Sequence, residues 1–91
     1  MNTDRKVRCP MASQVAIVAI IVEKDASVDG VNALLHEYSR FVIGRMGVPY
    51  RERGINIISV AVDAPEETIE DLAEQVNALE GVSSNTVYSV G

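Results

Sequence analysis

Val15-Ala-Ile-Val-Ala-Ile-Ile-Val22 is an unbroken apolar run, mostly β-branched, with no polar residue at any position. It shows neither the alternation of a half-exposed strand nor the spacing of an amphipathic helix. A short run of this kind is a strand covered on both faces. Ile55–Val62 repeats the pattern, broken only by Asn56 and Ser59. Two such strands have to lie together in the middle of a sheet, and the rest of a 91-residue chain has to cover them. A chain of this size forms one domain and buries only about 60–65% of its unfolded surface. Arg5, Lys6 and Arg8 precede the first run, which ends at Glu23-Lys24 with no small-residue cleavage site. It is also far shorter than the ~20 residues that cross a bilayer, so a buried strand is expected in place of a leader or a span.

The remaining elements follow from spacing and punctuation. Residues 1–13 are polar, contain Pro10 and lack periodicity, so a disordered N-terminal tail is expected before a single domain over 14–91. Met11 is a candidate translation start beside Met1. After the first strand, Asp25 or Ser27 can cap a helix in which Val28, Val31, Leu34, Leu35, Tyr38 and Phe41 share one face. Val42–Tyr50 reads as a strand weakened by Gly44, Gly47 and Pro49. Proline cannot donate to a ladder, which assigns this strand to a sheet edge. Arg51-Glu-Arg-Gly54 is the turn, with Gly54 expected at positive φ beside a bulge.

After the second apolar strand, Asp63 or Ala64 is expected at the N-cap of another helix, with Pro65 in its first turn and Glu66 and Glu67 at the positive end of its dipole. Ile69, Leu72, Ala73, Val76 and Leu79 form its buried stripe, and Gly81 is expected as its C′ residue. Val82–Val90 is the last, more polar strand. The order is βαββαβ, an α+β ferredoxin-like sandwich: a four-stranded antiparallel sheet with two helices on one face. In it the first and third strands are central, which agrees with their apolar character.

Composition narrows the function. Hydrophobic residues make up 47% and charged residues 23%, with a formal net charge of −5. That balance suits a folded domain and excludes broad binding to nucleic acid, which needs a surplus of Lys and Arg. The lone Cys9 allows neither an internal disulfide nor a CxxC pair and fits a reducing, cytoplasmic setting. Ser83, Ser84 and Ser89 have no His/Asp arrangement beside them, so no catalytic residues are assigned. Glu66, Glu67, Glu70, Asp71 and Glu74 read as a solvated helix face.

Polar residues that could hold a ligand fall in two places. Asn32 and His36 stand one turn apart beside the apolar stripe of the first helix. Arg45, Tyr50, Arg51 and Arg53 lie in the edge strand and turn, where guanidinium forks match carboxylate or phosphate. One histidine is too few for a metal site, and neither metal nor cofactor is expected. Gly44 and Gly47 are not a phosphate loop, because they sit in a strand and not before a helix.

The segment IGRMGVPYRERGINIISV (residues 43–60), with IIVEKD, NALLHEY and VSSNTVYSV, resembles the iron-only hydrogenase system regulators, over Val18 to Tyr88. These are similar to the C-terminal, ACT-like domain of the nickel-responsive regulator. The resemblance implies an ACT-like fold, homo-oligomers and a link to hydrogenase expression or maturation in anaerobes. It does not carry over the nickel ligands, since His36 and Cys9 are the only candidates, nor the Asp-x-x-Gly loop of amino-acid-binding ACT domains, where this chain reads Glu23-Lys-Asp-Ala-Ser-Val-Asp-Gly30.

Both lines lead to one expectation: a non-enzymatic, homo-oligomeric domain, dimer or tetramer, that binds a small effector or a protein partner at a subunit interface. A structural interaction module without ligand is the alternative. No membrane and no direct nucleic-acid partner are expected. Two helices cover one face of a four-stranded sheet, and the apolar residues on the other face call for a second copy.

Overall fold

The computed structural model describes residues 12–90. The expected tail, the candidate start at Met11 and Cys9 lie outside the described residues, except that Ala12 and Ser13 of that tail are described and Ser13 opens the first strand. The chain runs β1 (Ser13–Val22), α1 (Val28–Glu37), β2 (Val42–Tyr50), β3 (Ile55–Pro65), α2 (Glu66–Asn77) and β4 (Val82–Tyr88). Short 3-10 turns over Asp25–Ser27 and Ser39–Phe41 flank α1. The strands form one antiparallel sheet in the order β2-β3-β1-β4. The two most apolar strands are therefore central, and the α+β ferredoxin-like, ACT-like arrangement expected from the sequence is the one observed.

Alternation along the central strands divides their side chains between two environments. Ala16, Val18, Ile20 and Val22 of β1 and Ile58, Val60, Val62 and Ala64 of β3 are buried. They pack against Val31 and Leu35 of α1 and Ile69, Leu72 and Val76 of α2. These are residues the spacing marked; Val28, Leu34, Tyr38 and Leu79 lie at the margin of the core, and Ala73, expected in the buried stripe, is only half-buried. The acidic positions of α2 from Glu66 to Glu74 remain exposed, as expected of its solvated face.

Several element ends differ from the sequence reading. Ser27 occupies the N-cap of α1 but makes no capping bond; its hydroxyl donates to the Glu80 carbonyl at 2.7 Å, tying the start of α1 to the loop after α2. Strand β3 continues to Pro65, which is itself the N-cap of α2, because Asp63 and Ala64 keep pairing with β1. Phe41 belongs to the 3-10 turn after α1, not to the helix, yet still packs on the core. Gly81 is not the C′ residue of α2: the helix ends at Asn77, and a further turn follows before Gly81 adopts φ 71°. There its carbonyl oxygen accepts from Glu23 N, just past the end of β1, at 2.7 Å. The bulge expected beside Gly54 is absent, since Tyr50 pairs directly with Ile55; the bulge lies at the other end of β2, between Val42 and Gly44.

Gly54 and Gly81 both have positive φ, but their surroundings differ. A Cβ on Gly54 would meet nothing within 4 Å, whereas one on Gly81 would lie 3.0 Å from Lys24 Cβ and 3.2 Å from the Lys24 backbone nitrogen. Gly54→Ala should therefore cost about 1 kcal/mol, the left-handed penalty alone, and Gly81→Ala about 2 kcal/mol or more. Chemical denaturation of the two variants checks the order; equal losses would contradict it. The fold should also weaken in alkali. Burial first, then Asp71 and Glu37, raise the Tyr38 phenol above 10.0 despite a hydrogen bond from Gln75 that opposes the shift. Burial, with Glu70 and Glu66, raises Tyr88 likewise. Protonated phenols thus favour the folded state fully below the unfolded value, and this contribution is lost as pH climbs through the folded values. Near-ultraviolet titration should show two tyrosines ionising above the free amino acid, with thermal stability falling over the same range.

Candidate functional site

The bulge in β2 determines where its polar side chain goes. Val42 pairs with Val62, but Gly44 then pairs with Ala61, so Ile43 is an extra residue on the edge strand. An insertion of one residue turns every later side chain to the opposite face. Arg45, opposite Val60, is thereby directed to the helix side, and Met46, Val48 and Tyr50 go to the other. On the helix side Arg45 Nη2 donates to Asn32 Oδ1 at 2.8 Å. Asn32, Leu35, His36 and Ser39 from α1 and its following turn, with Val42 and Arg45 from β2, line a cleft of about 300 Å³.

This cleft unites Asn32, His36 and Arg45 from the residues singled out in the sequence, and it separates them from the others. Arg51 lines a different, wider cleft of about 540 Å³ at the hairpin end, together with Glu23, Asp25, Pro49, Gly54, Ile55 and Asn56. Two carboxylate residues and one arginine line it, and Asp25 Oδ1 accepts from Asn56 Nδ2 at 3.3 Å. Tyr50 is on the open face and its hydroxyl donates to Glu52 Oε1 at 3.1 Å, within the turn. Arg53 is exposed in that turn. Ser39 went unnoticed in the sequence, although it continues the spacing of Asn32 and His36 by a further turn.

The face of the sheet away from the helices is largely apolar, with Ser59, Ser83 and Asn85 as its neutral polar residues. Val48, Ile57 and Ile21 form one cross-strand row and Ala61, Ile17 and Val87 another. Ile17 is 46% exposed, Met46 61% and Val87 66%. Asp63 is the charged residue β3 places on this side, at the margin opposite Val15. Among the described residues no group of three or more His, Cys, Asp or Glu side chains could hold a metal ion. No helix among them is long and apolar enough to cross a membrane.

Comparison with known proteins places this geometry. No functionally curated protein matches the chain. A solved structure, the uncharacterized protein TM1266 from Thermotoga maritima, superposes with a TM-score of 0.80 at 30% identity, covering 84% of this chain and 96% of that one. A formyltetrahydrofolate deformylase from Pseudomonas putida KT2440 superposes with a TM-score of 0.59 at 19% identity, covering 80% of this chain and 28% of the enzyme, a likeness of fold alone. The sequence pattern of the TM1266-like family, described as "Iron-only hydrogenase system regulator, putative", matches residues 14–86. With that match over most of its length, the chain belongs to the TM1266-like family.

Proposed function

We propose that the chain is a non-enzymatic regulatory or accessory domain of an iron-only hydrogenase system, acting in the cytoplasm as a homo-oligomer. The observation that carries the oligomer is the open sheet face. Burying roughly 400 Å² of it would contribute on the order of 10 kcal/mol before association costs are subtracted. A second copy is the occupant that suits it. The face is nearly neutral, whereas the chain as a whole carries −5 and the acidic residues of α2 lie on the other side of the sheet. Two like-charged copies repel least when they meet through these strands.

The regulatory reading draws on the family and on the polar groups. Asn32, His36 and Arg45 can bind and orient a ligand; Ser39 lies in the same cleft, but among the described residues no hydrogen bond joins it to His36 to activate it as a nucleophile. An effector or protein partner that prefers one assembly over another would supply the control.

Sedimentation at micromolar concentration should find dimers or tetramers, and Ile17→Glu should yield monomers with unchanged secondary structure. Monomeric wild-type protein would remove the basis for the assembly. Thermal unfolding with amino acids, nucleotides and cofactor fragments tests the effector. A saturable rise in melting temperature supports it, and no rise with any of them favours a structural interaction module.

A further inference from the structure

The chain has 13 acidic side chains and 8 lysines and arginines, so a surface cation has carboxylates in surplus to pair with. Lys24 does so, 3.3 Å from Glu80, and Arg40 lies over the Phe41 ring at 5.3 Å. Arg45 is different. Its guanidinium is held by the neutral Asn32 amide, which fixes its direction without cancelling its charge. The bulge at Ile43 is what turns it toward α1, and bulges recur where a strand must re-aim one side chain.

We propose that the cleft between α1 and β2 binds a small oxyanion, a carboxylate or a phosphate monoester, through Arg45, His36 and Ser39. One guanidinium nitrogen is engaged by Asn32, which leaves the remaining N–H groups of the fork for two oxygens of a ligand. The His36 ring and the Ser39 hydroxyl supply further donors from the end of α1, and no carboxylate lines the cleft. Leu35 and Val42 form an apolar wall against which a short hydrocarbon part would rest. The wider hairpin cleft is unsuited to an anion, because Glu23 and Asp25 oppose Arg51 there. The C-terminal end of α1 presents the negative pole of the helix to the site, so affinity has to come from Arg45.

The proposal gives a chemical class to the effector of the regulatory reading and rests on that reading for its purpose, not for its chemistry. His36 is the chain's one histidine, so its ring C–H resonances report on the cleft without overlap. Full-length protein is titrated at fixed pH with orthophosphate and, separately, with propionate, against sodium chloride of equal ionic strength. A saturable shift with either anion and none with chloride is expected, and the anion that responds identifies the source. Arg45→Gln should weaken binding by roughly tenfold or more, while Arg51→Gln leaves it unchanged. Shifts that chloride reproduces, that never saturate, or that survive Arg45→Gln in a folded variant overturn the site. Sedimentation of the same samples separates the two ideas: an intact oligomer without anion response rejects the cleft alone, and a responding monomer rejects the assembly alone.

Discussion

Two helices can shield one side of a four-stranded sheet, and this chain has two central strands that are apolar on both sides. Most of its features follow from that mismatch. The covered side takes the even-numbered residues of β1 and β3 and forms a core of aliphatic side chains with no buried polar group among the described residues. The other side takes Val15, Ile17 and Ile57, which the described residues leave exposed, and Ile21, which is half-buried. Apolar area exposed in such a contiguous patch is uncommon for a protein that stays alone.

The edges carry the variation that the centre cannot. Strand β4 pairs with β1 and presents Ser83, Asn85 and Thr86, which tolerate water. Strand β2 has Gly44, Gly47 and Pro49, and a Cβ on either glycine would meet nothing. Its loose packing admits an extra residue, Ile43, at low cost. In a central strand the same insertion would break ladders on both sides. The position of the bulge at an edge thus allows a cation to be aimed at the helix side without disturbing the core.

The strand order was legible in the sequence because apolar continuity, proline placement and turn residues all pointed to it. Gly54 was legible as a positive-φ turn for the same reason. The bulge was not: Ile43 is an ordinary strand residue, and nothing in IGRMG separates an inserted residue from a paired one. Alternation alone separates Arg45 from Met46, but the face each takes depends on that unseen insertion. Local spacing offers Ser27, with Asp25, as a cap because it cannot see Glu80, a residue distant in sequence that packing brings within hydrogen-bond reach of the Ser27 hydroxyl. Asn32, His36 and Arg45 could be named individually, whereas their convergence is a tertiary fact that required the register of β2 on β3.

Strand β2 also gives a physical route between the two surfaces. Val42 and Arg45 line the cleft, while Met46, Val48 and Tyr50 lie on the open face, within the same nine residues. The strand is exposed along nearly all its length and, like β4, is held by one neighbouring strand. If the proposed anion binds and the proposed second copy covers the open face, a ligand on Arg45 would act on both surfaces through this one strand. Coupling of this kind is reciprocal: if an anion strengthens assembly, assembly strengthens anion binding by the same factor. A cleft on a rigid central strand would have no such leverage, because its surroundings would already be fixed.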